Sequence, residues 1–187
     1  IGGKYMGVPI IFIGPSGSGK SSLAQYLIYN YEAIKLVSTT SRKPRVGEVN
    51  GVHYHFEDED SIANLIKNNA FLEYSKYSGN YYGITKDEVE KKINLSKYVV
   101  NVMEINGALN MKEQFPNTII IYCDSPIKTL MQRMYDRGDS FDSISSRVQT
   151  YFDLKEYENR KYADFVIENN KTMEDAYYQL EDILKKI

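Results

Sequence analysis

The stretch GPSGSGKSS, residues 14–22, decides the fold of this chain. It follows residues 8–13, VPIIFI, a short apolar run rich in isoleucine that predicts a buried parallel strand. It precedes residues 23–29, which we predict as a helix. A glycine-rich turn between a buried strand and a helix is the context of a phosphate-binding loop. The stretch therefore predicts an α/β fold with such a loop at its centre.

Four positions of this loop fit the pattern G-x-x-x-x-G-K-[ST], namely Gly14, Gly19, Lys20 and Ser21. Glycines let backbone N–H groups turn towards phosphate oxygens at the positive end of the helix dipole. Lys20 would reach the β- and γ-phosphates of ATP, and the Ser21 hydroxyl would be a Mg²⁺ ligand. The loop residues that we predict to bind ATP are Gly14, Pro15, Ser16, Gly17, Ser18, Gly19, Lys20, Ser21 and Ser22. The loop alone does not name the reaction, since transporter ATPases, hydrolases and small-molecule kinases share the pattern.

The composition is that of an ordinary globular protein. The chain has 187 residues, 42% apolar and 26% charged, with a formal net charge of −2. This charge gives no overall basic field, so we expect neither a nucleic acid nor an anionic membrane as a partner. The longest apolar runs have the length of strands rather than of membrane helices. The single cysteine, Cys123, excludes an internal disulfide, so we expect a reducing compartment, the cytoplasm.

Strands and helices alternate in most of the chain. Residues 98–103 and 118–123 are β-branched runs, and each is followed by a helical pattern, at residues 107–114 and 127–136. This alternation predicts a parallel sheet with right-handed crossovers. For the C-terminal part we predict one long helix over residues 141–162, a last strand at 165–167 and a final helix over 173–187.

Between the first helix and the second predicted core strand the pattern changes. Strand-like pieces at residues 51–56, 71–75 and 80–84 surround a helical pattern at 61–68, with several glycines. We interpret this part as an inserted, mostly antiparallel subdomain. The predicted fold is a three-layer α/β fold with a phosphate-binding loop, a central parallel sheet and this insert.

Two arginines in the insert, Arg42 and Arg45, flank Pro44. Two planar guanidinium groups beside a stiff turn can bind one phosphate with several charge-assisted hydrogen bonds. Taken alone, a solvated basic turn explains them equally well.

Taken together, the motifs resemble those of guanylate kinases over nearly the whole chain. The matching pieces, in the order and at about the spacing of the family, are GPSGSGKSSL (14–23), STTSRKPRVGEVNGVHYHF (38–56), FLEYSKYSGNYYG (71–83), NGAL (106–109), RMYDRG (133–138) and Arg147. The resemblance implies a single domain, residues 1–187, that transfers the γ-phosphoryl group of ATP to GMP with Mg²⁺. Its parts would be a core at 5–37 and 96–187, a GMP-binding insert at 38–95 and a helical lid at about 137–147. We also expect the enzyme to accept dGMP and to act as a monomer.

The resemblance assigns roles to residues of both substrates' sites. The implied GMP-binding residues are Ser38, Arg42, Arg45, Tyr54, Glu73, Tyr82, Thr85 and Glu104. Among them, Arg42, Arg45, Tyr54 and Tyr82 would hold the phosphate. Glu73 would accept from N1–H and the N2 amino group of guanine, and Ser38 would donate to O6. The implied catalytic residues are Lys20, Arg42, Arg133, Arg137 and Arg147, and Asn169 would contact adenine.

Two positions depart from the family pattern. Ile84 stands where the family has Ser or Thr after GNYYG, so either Thr85 replaces that hydroxyl or discrimination rests on Glu73 and Ser38. Val102 and Glu104 stand where the family has two aspartates. Glu104 keeps the negative charge and would orient Arg42 or a water bound to Mg²⁺. We expect activity with a less organised acceptor site.

Other functions remain open at this stage. An ABC-type ATPase would need a signature motif and a catalytic glutamate that the sequence does not show. A guanylate-kinase-like scaffold that binds phosphoproteins would share the fold, but such scaffolds lack a working phosphate loop. A catalytically weak guanylate-kinase-like module that binds a nucleotide or a phosphoprotein also stays open. A kinase of AMP or dTMP would have no use for Glu73 and Ser38 as guanine-binding groups.

Overall fold

The computed structural model describes residues 6–187, so the predicted first core residue, at position 5, lies outside the described part. In chain order, the elements are β1 (Val8–Ile13), α1 (Lys20–Tyr31), β2 (Ile34–Lys35), β3 (Thr39–Thr40), β4 (His55–Phe56), α2 (Glu59–Lys67), β5 (Phe71–Tyr77), β6 (Asn80–Thr85), α3 (Lys86–Ile93), β7 (Tyr98–Val102), α4 (Ile105–Gln114), β8 (Ile119–Asp124), α5 (Ile127–Asp136), α6 (Phe141–Asp153), a 3₁₀ segment (Glu156–Tyr162), β9 (Phe165–Glu168) and α7 (Met173–Leu184).

The central sheet has five parallel strands in the order β2-β7-β1-β8-β9. In the register of the middle three strands, Ile10 of β1 pairs with Val100 of β7 and Ile119 of β8. A strand with helices on both faces needs apolar side chains in both directions, which explains the continuous apolar run of β1. The parallel sheet that the alternating pattern predicts is confirmed.

The insert forms a second sheet of four strands in the order β4-β3-β6-β5. Its pairs are antiparallel except for β3 with β4. Ser78 and Gly79 connect β5 to β6, with φ of 48° and 80°. Positive φ at both positions is typical of the tight hairpin turn whose twist matches that of the strands. The α/β class with a second, mostly antiparallel sheet is therefore confirmed.

Helices cover the central sheet on both faces. On one face, α1 and α7 pack on β1 through Leu27, Leu180 and Ile10, all fully buried. On the other face, α4 packs together with the insert, where Met111 and Ile84 belong to the same buried cluster. Within residues 6–187, no helix combines the length and the apolar character that crossing a membrane requires.

One predicted helix is wrong in its extent. We predicted a single helix over residues 141–162, but α6 ends at Asp153 and a 3₁₀ segment follows after Lys155, whose φ is 49°. No glycine or proline marks this break, so helical periodicity alone does not reveal it. A tertiary contact accompanies it, since the buried Tyr122 hydroxyl donates to the Glu156 carbonyl at 3.3 Å.

The strand predicted at residues 51–56 is also shorter than expected. Only His55 and Phe56 pair in the sheet, apart from an isolated bridge between Asn50 and Tyr54. Gly51 has a φ of 79°, so the chain turns there and does not extend. The turn places Tyr54 beside Tyr82 of β6, with ring centroids 6.1 Å apart.

The packing of α7 on the sheet makes a testable contribution to stability. Leu180 is fully buried in the core, and Leu180→Ala leaves a cavity that costs about 2–5 kcal/mol of unfolding free energy. Urea denaturation followed by circular dichroism measures this loss. The control is Tyr178→Ala on the same helix, where the side chain is 67% exposed and the expected change is below about 0.5 kcal/mol. Equal losses for the two variants would contradict the described packing.

Candidate active site

Two cavities lie where the strands of the central sheet end. The insert cavity, about 800 Å³, is bounded by Ser38, Tyr54, Glu73, Tyr82 and Glu104 among others. The loop cavity, about 520 Å³, lies over the glycine-rich loop; its lining residues are Ser16, Gly17, Gly19, Lys20, Ser21, Ser22, Arg133, Arg137 and Met173. Both volumes are in the range of small-molecule sites. The carboxyl edge of a parallel sheet is where open α/β folds bind ligands.

The glycine-rich loop has a backbone that only glycine adopts easily. Gly14 and Gly19 have φ of 137° and 94°, and a Cβ atom at Gly14 would overlap the carbonyl oxygen of Cys123. Within the loop, Lys20 Nζ donates to the carbonyls of Gly14 at 2.6 Å and Pro15 at 2.8 Å. Burial lowers the pKa of the Lys20 ammonium. The Lys20 side chain thus folds back onto the loop, which keeps its ammonium group within the predicted phosphate site.

Arg133 and Asn169 stabilise this loop through hydrogen bonds to its backbone carbonyls. The Arg133 guanidinium donates to the Gly17 carbonyl at 3.2 Å, to Ser125 Oγ at 3.1 Å and to the Asn169 carbonyl at 2.9 Å. The Asn169 side chain is fully buried and donates to the Ser18 carbonyl at 3.0 Å. We expected the Asn169 amide to contact adenine. It faces the backbone of the loop instead, because its hydrogen-bonding groups are used there. Burial lowers the pKa of Arg133, which still lines the loop cavity.

The predicted lid, at about 137–147, comprises the turn after α5 and the first half of α6. Arg137 makes a two-point contact with Asp139, at 2.8 and 2.6 Å, and this pairing lowers the pKa of the Asp139 carboxyl. Arg147 Nη1 donates to Ser16 Oγ at 2.5 Å. Because Ser16 belongs to the loop, the lid contacts the loop directly, and both predicted lid arginines lie beside the loop cavity.

Arg42, one of the predicted phosphate ligands, packs beside the insert cavity through Tyr54. Arg42 makes a two-point ion pair with Glu48, at 3.0 and 2.8 Å, and its guanidinium lies 5.3 Å from the centre of the Tyr54 ring. Tyr54 and Tyr82 both line the cavity, whereas Arg45 is exposed on the neighbouring loop. A planar guanidinium that already holds a carboxylate in two-point fashion has the orientation needed for a phosphate.

Glu73 lines the insert cavity and lies against the N-terminal turn of α4. A Cβ atom at Gly107 would overlap the Glu73 carboxylate, so the glycine leaves the space that the carboxylate uses. Burial raises the pKa of Glu73, and the nearby charge of Glu104 raises it further. Ser38 lines the same cavity from the start of the insert. The structure thus brings together the two side chains that we predicted to contact guanine.

The alternative assigned to Thr85 is not supported by its position. Thr85 is the N-cap of α3, where its Oγ1 accepts from the Glu88 N–H at 3.2 Å. Side chains alternate along a strand, so Ile84 and Tyr82 line the insert cavity while Thr85 points elsewhere. Of the two alternatives for base discrimination, the structure favours Glu73 and Ser38.

Two carboxylates, Glu104 and Glu156, lie near the Lys20 ammonium, and Glu104 also lines the insert cavity. Glu104 is the exposed N-cap residue of α4, and the predicted contact with Arg42 is absent because Arg42 pairs with Glu48. Glu104 lies close enough to the Lys20 ammonium to favour its charged form. Burial raises the pKa of the Glu156 carboxyl, and the charge of Glu104 adds to this effect while Lys20 opposes it. Glu104, which lines the insert cavity, and Lys20, which lines the loop cavity, therefore interact electrostatically across the two cavities.

Sequence reasoning missed four residues of this site: Glu48, Gly107, Met173 and Glu156. Glu48 is three residues after Arg45, within the quoted stretch 38–56, so its proximity to Arg42 was available as a signal. Gly107 stood inside the quoted NGAL turn, but its contact with Glu73 joins residues distant in sequence. Nothing in the sequence marked Met173 or Glu156, since the first begins a helix and the second follows an unpredicted break.

Comparisons with known proteins agree on one family. A model of the family "Guanylate kinase" matches residues 6–187. A guanylate kinase of Clostridium perfringens (strain SM101 / Type A) is 37% identical over 181 residues, covering 95% of this chain and 82% of that protein. A guanylate kinase of Bacillus subtilis (strain 168) is 37% identical over 172 residues, covering 89% and 83% respectively. The crystal structure of guanylate kinase from Anaplasma phagocytophilum has the same fold, with a TM-score of 0.66 at 24% identity, covering 98% of this chain and 87% of that one.

The pair of Arg42 and Glu48 gives a pH-dependent signal. Hydrogen bonds from the Arg42 side chain and the Arg45 backbone lower the pKa of the Glu48 carboxyl from its ordinary 4.5 to about 2. Because the folded state prefers the ionised carboxylate, this contribution to stability is present above pH 4.5 and is lost as the pH falls towards 2. In a ¹³C NMR titration, Glu48 stays ionised where an ordinary glutamate is protonated.

Two arginine variants test the cause of this shift. Arg42→Ala returns the Glu48 titration to the ordinary range, because it removes the two-point contact. Arg45→Ala, the matched control, keeps the backbone N–H donor at 2.7 Å and leaves most of the shift. A Glu48 that titrates normally in the unsubstituted protein contradicts the described pair.

Proposed function

This chain belongs to the guanylate kinase family and is a kinase that phosphorylates GMP, and from that premise we propose ATP as its phosphoryl donor, Mg²⁺ as its metal ion and dGMP as a second acceptor. The products are ADP and GDP, or dGDP, so the enzyme serves purine nucleotide metabolism. One observation carries the proposal: the phosphate-binding loop and the insert cavity, which Glu73 lines and which Arg42 adjoins through Tyr54, lie at one edge of the sheet.

We propose that the insert, residues 38–95, holds GMP with its base at Glu73 and its phosphate at Arg42. On binding, the Arg42 guanidinium exchanges the Glu48 carboxylate for the phosphate, which carries more negative charge. Tyr54 and Tyr82 line the same part of the cavity and donate their hydroxyls to the phosphate. Arg45, exposed on the same loop, joins them at the phosphate. These groups suit a dianion.

Base selection rests on the direction of hydrogen bonds at Glu73 and Ser38. A carboxylate accepts from N1–H and the N2 amino group of guanine, whereas adenine presents an unprotonated acceptor at N1. A site built to accept two hydrogen bonds loses much affinity for a base that cannot donate them. The Ser38 hydroxyl donates to O6 of guanine. None of these groups contacts the 2′ position of the ribose, which is why we propose that dGMP is accepted.

The residues around the loop align the two substrates. An acceptor phosphate oxygen is already an anion at neutral pH, so no general base is needed and catalysis rests on alignment and charge neutralisation. Lys20 binds the β- and γ-phosphates from the loop, and Arg137 and Arg147 do so from the lid. Arg133 lines the loop cavity while holding the Gly17 carbonyl, so it both neutralises charge and keeps the loop in shape. Lid closure excludes water, which would otherwise accept the phosphoryl group.

The residues at the loop fit a Mg²⁺ ion. The Ser21 hydroxyl is exposed in the first turn of α1 and lines the loop cavity, as an oxygen ligand of the ion must. No group of three or more His, Cys, Asp or Glu side chains in residues 6–187 forms a separate metal site. Mg²⁺ is usually bound by one or two protein oxygens together with substrate phosphates and water, and Ser21 supplies one such oxygen. When bound, the ion neutralises charge on the β- and γ-phosphates. Glu104 would orient one of its waters.

We further propose that the enzyme acts as a monomer in the cytoplasm. One chain supplies the described lining of both cavities, so the site needs no second copy. The single cysteine, Cys123, is fully buried, and burial raises the pKa of its thiol to about 12. A buried protonated thiol fits a reducing compartment. The net charge of −2 argues against nucleic acid as a partner.

The first experiment measures ADP release from ATP and Mg²⁺ with GMP, dGMP, AMP, dTMP or no acceptor. We expect turnover with GMP and dGMP, loss of turnover with a chelator, and a decrease of at least about 100-fold in Lys20→Ala, because the loop then lacks its cation. No stimulation of ADP release by GMP would contradict ATP as the donor. Turnover with GMP but not with dGMP would contradict only the proposal that dGMP is a second acceptor. Binding of ATP without turnover would favour a weak binding module.

A second experiment tests the position of Glu73. Gly107→Ala places a methyl group where the Glu73 carboxylate lies, so KM for GMP rises at least about tenfold while KM for ATP stays within about twofold. Alanine has a higher helix propensity than glycine, so α4 itself is not weakened by the substitution. Glu113→Ala, exposed on the same helix, is the control. An unchanged KM for GMP would contradict the role of Glu73.

A further inference from the structure

A buried carboxylate lies between the two chain segments that connect the insert to the core. The outgoing segment runs from β2 to β3 through Val37 and Ser38, and α3 belongs to the returning part. Glu88, in the first turn of α3, is only 5% exposed. Its Oε1 accepts from the Val37 backbone N–H at 2.8 Å. One side chain thus joins the outgoing segment to the returning one.

The second oxygen of Glu88 reaches the insert sheet. Oε2 lies 2.9 Å from Nε2 of His55, on β4. The backbone N–H of His55 donates in turn to the Ser38 carbonyl at 2.9 Å. Ser38 is therefore held on both sides: Glu88 binds the preceding residue, and His55, which contacts Glu88, binds Ser38 itself.

Lys92 completes this cluster one turn further along α3. Its Nζ lies 3.5 Å from Oε1 of Glu88 and donates to the Lys35 carbonyl at 3.4 Å. Burying a carboxylate costs free energy unless it is paired with a cation and hydrogen-bonded. Here the Lys92 ammonium is the cation, and the Val37 N–H donates the hydrogen bond. The arrangement fixes the backbone of the outgoing segment at two positions, Lys35 and Val37.

We propose that Glu88 is a positioning residue for guanine recognition. It acts by fixing the backbone on which Ser38 presents its hydroxyl to the insert cavity. Glu88 itself does not line that cavity, whereas Ser38 does. The inference rests on the proposed function, in which Ser38 donates to O6 of guanine. A displaced Ser38 weakens binding of the acceptor and leaves the ATP site unchanged, because no residue of the cluster lines the loop cavity.

Steady-state kinetics of two Glu88 variants test this role. Glu88→Ala removes both acceptors and raises KM for GMP about fivefold to tenfold, while kcat and KM for ATP stay within about twofold. Glu88→Gln keeps an acceptor for the Val37 N–H and restores KM to within about threefold of the unsubstituted enzyme. The matched control is Glu90→Ala, exposed on the same helix, which leaves all three constants unchanged. A proportional change of both KM values, or no rescue by Gln, would mean a merely structural role.

A double-mutant cycle separates action through Ser38 from action elsewhere. Ser38→Ala removes the hydroxyl, so adding Glu88→Ala to it raises KM for GMP by less than about twofold further. An effect of Glu88→Ala that is equally large with and without the Ser38 hydroxyl overturns the proposal. If Glu88→Ala does not fold, as judged by circular dichroism, Glu88→Leu replaces it, because it fills the buried space while removing both acceptor oxygens.

The failure of this inference is distinguishable from that of the proposed function. An unsubstituted protein that releases ADP with GMP, together with Glu88 variants of unchanged KM for GMP, overturns the inference alone. An unsubstituted protein that GMP does not stimulate overturns both, and that result is obtained before any variant is made.

Discussion

The conformation of the loop between β1 and α1 is the constraint on which the rest of the site depends. Backbone N–H groups can surround a phosphate only if Gly14 and Gly19 adopt positive φ, which disfavours side chains at both positions. Such a backbone needs support from outside the loop. Arg133 holds the Gly17 carbonyl and Asn169 holds the Ser18 carbonyl, so residues far along the chain determine the shape of an N-terminal turn. The parallel sheet brings these residues together, because β8 lies beside β1 and β9 lies beside β8.

In the insert, charged side chains rather than glycines determine the geometry of the site. Arg42 pairs with Glu48, and Glu73 lies against the start of α4, where Gly107 leaves room for it. Each charged group has a defined position before any ligand is considered, which reduces the conformational entropy lost on binding. Glu88 extends this principle to the backbone that carries Ser38.

Much of this arrangement was predictable from sequence because it depends on local patterns. The run VPIIFI predicts a strand buried on both faces, and the glycine and lysine spacing predicts the loop that follows. The break after Asp153 was not predictable, since Lys155 adopts a left-handed conformation without a glycine or proline to mark it. The orientation of Thr85 was missed because strand register decides which side chains face the cavity. The tie between Glu88 and Val37 joins residues 51 positions apart, which no local pattern reveals.

Ile84 gives the insert cavity a chemical character of its own. Its buried side chain lines the cavity at the position where the family pattern places a hydroxyl. An apolar wall offers no hydrogen bond to a purine, but it excludes no apolar substituent either. Each methylene group buried against such a wall is worth about 0.8 kcal/mol, whereas a serine or threonine there would first have to lose its hydration. The wall therefore favours ligands that present a small alkyl group to it over ligands that present a hydrogen-bonding group.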